Sequence, residues 1–112
     1  MVKALRCLVV GIPNARFAQD SIRPEEAASI SYDALPDHTP LSPSLELVVA
    51  PLFCGEFDAL EMIEALGSRG YRGLLRVVAP KLPNRQIVLR ELRSHAVRQG
   101  ITLEMVEDTD SP

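Results

Sequence analysis

The stretch Ser44-Leu45-Glu46-Leu47-Val48-Val49-Ala50-Pro51-Leu52-Phe53 decides the fold. It is short and almost wholly apolar, and a helix start follows it, which is the pattern of a strand buried in the centre of a parallel sheet. Open α/β sheets bind their ligands just beyond the carboxyl ends of such strands. Here that place holds Ala50, Pro51 and Leu52, none of which is reactive. The stretch therefore predicts an architecture but no reaction.

Strand signals recur on both sides of this stretch. A first strand is predicted at 3–10, where an apolar run is stopped by a Gly-Ile-Pro-Asn turn. A further strand is predicted at 74–79, before Pro80, and a last one at 101–106, whose alternation of apolar and polar residues is typical of an edge strand.

Two helices have clear start and stop signals. Asp58 and Glu61 form a capping-box pattern, and apolar residues follow at helical spacing up to Gly67. Asn84 is the predicted N-cap of the last helix and Gly100 its stop.

The segment 23–35 admits two interpretations. Arg23-Pro24-Glu25-Glu26 is typical of a helix start, which favours a helix that ends near Ala34 or Leu35. The alternative is a short strand at 29–34, supported by its β-branched and aromatic residues. We prefer the helix; the segment 36–44, with three prolines, is predicted to be a loop.

Alternating strands and helices predict an α/β fold, specifically a three-layer α/β/α sandwich with a four- to five-stranded, mostly parallel sheet. A length of 112 residues predicts one domain, over 1–106, with a frayed acidic tail at 107–112. No apolar run reaches the length of a membrane span, and the N-terminus is more typical of a strand than of a signal peptide, so we expect a cytoplasmic protein with reduced cysteines.

Charge is distributed unevenly along the chain, although its net value is only −3. Residues 17–68 hold ten acids and one base, whereas residues 69–100 hold eight bases and one acid. If the two regions face different sides of the fold, the protein is an electrostatic dipole suited to steered or head-to-tail association. The alternative is that these are solvated helix faces of different sign.

One candidate site is an anion site at the carboxyl ends of the strands. The turns after the first and third predicted strands share Pro-Asn followed by Arg, and they could bring Arg16, Lys81 and Arg85 around a phosphate or carboxylate. Pro-Asn is also ordinary turn and cap chemistry. No glycine-rich nucleotide motif is present, and we predict no cofactor.

Two further candidates are a thiol and a basic surface. Cys54 precedes a helix start, where the helix dipole can make a thiol nucleophilic, but neither His38 nor His95 is placed by sequence to act as its base. The last helix presents a set of bases that could bind a protein partner or a second copy. They are Arg90, Arg93 and Arg98. Nucleic acid is disfavoured as a ligand, because aromatic residues are not interleaved with the bases and the pI is acidic.

The stretch from Leu47 to Ile63, and within it Asp58-Ala59-Leu60-Glu61-Met62, resembles the middle of bacterial response-regulator receiver domains. In that family a hydrophobic strand ends in a phosphate-accepting Asp, and a short loop and an Asp-Gly-Leu-Glu-Leu-like helix start follow. The resemblance covers 45–106 well and 1–44 poorly. It implies a five-stranded family fold and a signalling-type binding module.

Every position that carries the family's chemistry differs here. Pro51 stands at the phospho-acceptor position, and Val10-Gly11-Ile12 replaces the acidic pair that holds Mg²⁺. Ala79 or Pro80 stands where the family has its switch Ser or Thr, and Met105-Val106-Glu107 lacks the family's Lys. We therefore predict no metal and no catalytic residue. The expected function is a non-catalytic, phosphorylation-independent, receiver-like regulatory or protein-interaction domain; the alternative is a small enzyme or anion-binding domain that uses Cys54 with Arg16, Lys81 and Arg85.

Overall fold

A computed structural model describes residues 6–11, 27–34, 44–52 and 57–107. These residues contain five strands and two helices. In chain order they are β1 (Cys7–Val10), β2 (Ala27–Ile30), β3 (Leu47–Pro51), α1 (Ala59–Ser68), β4 (Leu74–Ala79), α2 (Arg85–Arg98) and β5 (Thr102–Glu107).

The five strands form one parallel sheet in the order β2-β1-β3-β4-β5. The predicted α/β fold with a parallel sheet is thereby confirmed, and β3 is the central strand, as its apolar sequence predicted. The predicted edge strand β5 lies at one end of the sheet, and it runs to Glu107, one residue beyond its predicted limit.

The two faces of the sheet bury alternate residues of each strand, because successive side chains point to opposite sides. Val48 and Leu75 belong to the core on the first face, together with Met62 of α1 and Leu92 of α2. Both helices connect neighbouring strands in the same direction along the sheet, and right-handed crossovers therefore place them side by side on this first face.

The second face has a smaller core, which contains Cys7, Val9, Leu47 and Val49. The predicted third layer, with helices on this face too, would involve segments that lie outside the described residues.

Local signals explain where α1 begins. Asp58 Oδ1 accepts from the backbone N–H of Glu61 at 2.9 Å, and Glu61 Oε1 accepts from the backbone N–H of Asp58 at 3.2 Å. This reciprocal pair is the predicted capping box, which satisfies two amides that the first turn of a helix leaves unpaired.

The start of α2 is different. Asn84 occupies the N-cap position as predicted, but its side chain makes no cap hydrogen bond. The helix ends before Gly100, which has a positive φ of 76°. Its buried residues are Leu89, Leu92 and Ala96, and Val88 beside them is partly buried.

The preferred helix at 23–35 is wrong for its described part, because residues 27–30 form β2. The alternative, a strand at 29–34, was closer. Of these residues only Ser29 and Ile30 belong to β2, and a single 3₁₀ turn follows at 32–34. Parallel pairing with β1 provides the reason: β2 pairs in register from Cys7↔Ala27 to Val10↔Ile30, and such long-range pairing overrides a local helix signal. Residues 23–26 and 35–43 lie outside the described residues, and with them all of the predicted loop 36–44 except Ser44.

Candidate functional site

The strand order places the site where this fold class would bind a ligand between β1 and β3. A sheet of order 2-1-3-4-5 reverses its direction of winding at that point, and flavodoxin-like folds bind ligands beyond the carboxyl ends of these two strands. Gly11 follows β1 there, and Pro51 ends β3. Glycine has no side chain, and the ring of proline cannot accept a proton, ligate a metal or attack an electrophile.

Aromatic rings pack against this position. Phe57 is only 3% exposed, and its Cζ lies 2.9 Å from the point where a Cβ atom on Gly11 would be. Tyr32, which follows β2, stacks on Phe57 with ring centroids 4.6 Å apart and an angle of 13° between the rings. Gly11 itself donates its N–H to the carbonyl of Ile30 at 2.9 Å. Among the described residues, aromatic rings thus pack between the ends of β1 and β2 and the start of α1.

The residues after β3 are held by the backbone. Leu52 donates its N–H to the carbonyl of Val78 at 2.8 Å, and its own carbonyl accepts from the N–H of Ala59 at 2.8 Å. These bonds support the start of α1. Pro51 itself has no N–H and no ionisable atom, so it cannot be phosphorylated.

The structure describes two members of the predicted anion site, Lys81 and Arg85. Lys81 is exposed in the loop between β4 and α2. Arg85, in the first turn of α2, donates from Nη2 to the carbonyl oxygen of Met105 on β5. Arg16 lies outside the described residues, so an anion site stays a prediction.

The predicted reactive thiol, Cys54, also lies outside the described residues. Cys7 is fully buried in β1. Burial raises the pKa of its thiol to about 11, against a smaller opposite effect of the positive charge on Arg76. Cys7 is therefore a core residue.

The three bases predicted to bind a partner, Arg90, Arg93 and Arg98, are all exposed on α2. Arg93 additionally donates from Nε to the carbonyl oxygen of Leu103 at 3.3 Å. Two apolar side chains, Ile87 and Val97, are 63% and 74% exposed on the same helix. This surface combines positive charge with exposed apolar area.

Arg85 and Arg93 bind to the open edge of β5. The N–H of Thr102 bonds inward to Gly73 at 3.1 Å, and inward and outward residues alternate along an edge strand. Leu103 and Met105 therefore direct their carbonyls outward, where the two arginines bind them. This role was not predicted from the sequence; the spacing of eight residues between the two arginines, about two turns of helix, was its only signal.

A groove that was not predicted from the sequence lies between α1 and α2. Its volume is about 380 Å³, and its walls are mainly apolar, with two carboxylates at the rim. The lining residues are Leu52, Asp58, Ala59, Leu60, Val88, Glu91 and Leu92. The sequence does contain a signal for this groove, because Leu60 and Val88 are apolar residues that lie beside the buried side of their helices.

Comparison with protein-family models, with curated proteins and with solved structures finds no match for this chain. Within the described ranges, no three His, Cys, Asp or Glu residues come together as a group that could hold a metal ion. The same part of the chain contains no helix with the length and apolar character needed to cross a membrane.

Proposed function

We propose that this chain is a non-catalytic, receiver-like regulatory domain that binds a protein partner through the outer surface of α2, independently of phosphorylation. One observation carries the proposal. The ligand position of the fold, beside Gly11 at the end of β1, is occupied by the ring of Phe57 stacked on Tyr32. A domain that packs aromatic core residues against its ligand position is suited to present a surface instead.

The strand order supports the receiver-like part of the proposal, because 2-1-3-4-5 is the order of flavodoxin-like folds. The resemblance of the stretch 47–63 to receiver domains adds a motif, since the Asp58–Glu61 capping box starts α1 where the family has its Asp-Gly-Leu-Glu helix start. Pro51 at the phospho-acceptor position supports independence from phosphorylation.

The chemistry of α2 supports protein as the ligand. Arg90 and Arg98 are exposed, and Ile87 and Val97 add apolar area beside them. Arginine is enriched in protein interfaces, whose fully buried cores are more apolar than the rest of the surface, and arginine can pair with carboxylates in two parallel hydrogen bonds. An acidic partner surface is the complementary one.

Quantitative capture from extracts of the source cells tests this function. Wild-type protein, Arg90→Glu and Lys81→Glu are immobilised in parallel, and bound proteins are measured by mass spectrometry. Arg90→Glu and Lys81→Glu change the net charge equally, but only the first lies on α2. We expect Arg90→Glu to reduce recovery of the partner about tenfold, because it replaces an attraction by a repulsion, and Lys81→Glu to leave it unchanged.

Two results would count against the proposal. Equal recovery by all three proteins would exclude α2 as the binding surface. A loss with Lys81→Glu alone, accompanied by a thermal shift of the wild type in inorganic phosphate, would favour the anion-binding alternative.

A further inference from the structure

The outer sides of α1 and α2 carry opposite charges. Glu61 and Glu64 are exposed on α1, which contains no base. On α2, Arg90 and Arg98 stand against one exposed acid, Glu91, whereas Arg93 donates to the edge of β5. The outer α1 surface thus has a charge of −2 and the outer α2 surface of +1, and the two lie next to each other on one side of the protein.

The relative heights of the two helices are fixed by their contacts. Both run antiparallel to the strands, because each connects two parallel strands, so they are parallel to each other. Leu60 lines the groove opposite Val88 and Leu92. At the other end, the side chain of Gln99 packs so closely on Gly67 that a Cβ atom there would be 2.2 Å from Gln99 Oε1. A residue of α1 is therefore level with the residue about 31 positions later in α2.

We infer that two copies of this chain pack helical layer against helical layer about a two-fold axis parallel to α1 and α2, with α1 of each copy on α2 of the other. The inference rests on the proposed function, since it identifies a second copy as a partner of α2. A two-fold axis in this direction exchanges the two sides of the groove, so that each negative helix meets a positive one.

Other symmetric arrangements are less favourable. A two-fold axis perpendicular to the helices would place α2 on α2 and bring Arg90 and Arg98 against the same residues of the second copy. Like charges placed opposite each other in an interface weaken association. The parallel axis avoids this contact and places the acids of α1 opposite the bases of α2.

The relative heights of the helices predict which residues of α1 and of the second copy's α2 lie opposite each other. Glu64 is level with residue 95 of α2, within one turn of Ser94 and Arg98 of the second copy. Glu61 is level with residue 92, where both Arg90 and Glu91 are exposed, and one of its carboxylate oxygens already serves the capping box, so it adds no net attraction. Glu64 and Arg98 form the principal pair, and symmetry creates it twice.

The groove lies on the proposed axis. Its apolar walls, including Leu60, Val88 and Leu92, would face the same groove of the second copy, and the adjacent Ile87, which is 63% exposed, would be covered by α1. The carboxylates of Asp58 and Glu91 would lie near those of the second copy, which weakens the contact. Helices of 10 and 14 residues are about 15 and 21 Å long, and neighbouring helices lie about 10 Å apart. The contact is therefore smaller than a standard interface of about 1,600 Å², and a weak, salt-sensitive dimer is expected.

Sedimentation velocity of the full chain over a range of concentrations tests the inference with two charge reversals. Glu64→Arg alone places Arg against Arg98 twice in a dimer, and Arg98→Glu alone places Glu against Glu64 twice. Each variant is expected to weaken self-association at least about tenfold relative to wild type. A 1:1 mixture of the two variants restores both pairs, and so does the double variant Glu64→Arg/Arg98→Glu, so both are expected to dimerise again.

Glu107→Arg is the matched control, because it makes the same charge change as Glu64→Arg at an exposed residue on the sheet edge. It is expected to dimerise like wild type. Raising the salt concentration from about 50 mM to about 500 mM is expected to weaken the wild-type dimer. Circular dichroism verifies that each variant is folded.

Three results would overturn the inference: a wild type that stays monomeric at low salt, single variants that dimerise like wild type, or a mixture that stays monomeric. Its failure is distinguishable from failure of the proposed function. If the wild type is monomeric but its capture of a cellular partner still depends on Arg90, only the dimer is excluded. If the wild type is monomeric and capture does not depend on Arg90, the proposed function is excluded as well.

Discussion

The ring of Phe57 lies directly against Gly11, with Cζ 2.9 Å from the position of a Cβ atom on that glycine. Gly11 has a φ of +77°, in the left-handed region that other residues enter at a cost of about 1–2 kcal/mol. Two separate requirements therefore select glycine at the end of β1, one from its backbone conformation and one from the aromatic ring above it.

Replacing Gly11 by alanine is expected to lower the free energy of unfolding by about 2–4 kcal/mol, because it adds a displaced ring to the backbone penalty. Gly70→Ala is the matched control: Gly70 has a φ of +83°, but nothing lies within 4 Å of the point where a Cβ atom on it would be, so it incurs the backbone penalty alone. Urea denaturation of both variants measures the difference. Equal destabilisation would show that the ring of Phe57 does not restrict this site.

The capping box at α1 and the N-cap position of α2 give a paired prediction. Asp58→Ala is expected to cost about 1 kcal/mol, since it removes the acceptor for the N–H of Glu61, while Asp58→Asn keeps an acceptor and is expected to cost less. Asn84→Ala is expected to have little effect, because the side chain of Asn84 makes no cap hydrogen bond. Thermal unfolding of the three variants checks this order, which a larger loss in Asn84→Ala than in Asp58→Ala would contradict.

The sequence predicted those elements whose local signals agree with their tertiary environment. β4 was predicted with its correct ends, 74–79, because its apolar run is bounded by Gly73 and Pro80. α1 was predicted from its capping box and its apolar spacing. β2 was missed because Arg23-Pro24-Glu25-Glu26 is a helix signal, whereas the strand depends on pairing with β1, about 20 residues away.

The side-chain arrangements could not be predicted from sequence, because they join residues that are distant in the chain. Phe57 contacts Tyr32 and Gly11 from 25 and 46 positions away. The bond of Arg85 to Met105 spans 20 positions, and no local pattern favoured it over a role in anion binding. The positive surface of α2, in contrast, followed from the helical spacing of Arg90 and Arg98.

Cys7 is expected to resist modification in the native protein. Burial raises the pKa of its thiol to about 11, so almost no thiolate is present at neutral pH. In a Cys54→Ala variant, a chromogenic disulfide reagent should react with no thiol at pH 7.5 until denaturant is added, and with one thiol afterwards. Rapid reaction without denaturant would contradict the buried position of Cys7.

The same shift predicts how stability depends on alkaline pH. The thiol of an unfolded chain has a pKa of about 8.5, so the unfolded state loses its proton first as the pH rises. Stability is therefore independent of this group below about pH 8.5 and is lost between that pH and about 11. Burial also raises the pKa of Tyr71, which acts in the same direction at higher pH. A Cys7→Ala variant should lose stability less steeply over this range in chemical denaturation at stepped pH.

Arg85 and Arg93 are expected to protect the edge of β5. Each donates a hydrogen bond to an outward carbonyl, at Met105 and Leu103 respectively, and exposed edge strands are otherwise templates for pairing with other chains. The double variant Arg85→Ala/Arg93→Ala should be less stable by about 1–3 kcal/mol, because it removes two charge-assisted hydrogen bonds. It should also aggregate faster on heating, as measured by light scattering at equal fractions of unfolded protein.

Arg90→Ala is the control for this effect, since Arg90 is exposed on the same helix and lies on its outer side. It removes the same charge per residue without affecting the β5 carbonyls, so its stability and aggregation rate should match those of wild type. If Arg90→Ala aggregates as fast as either Arg85→Ala or Arg93→Ala, loss of positive charge is sufficient to explain the aggregation. If only the latter two variants aggregate, the hydrogen bonds to the strand edge are the cause.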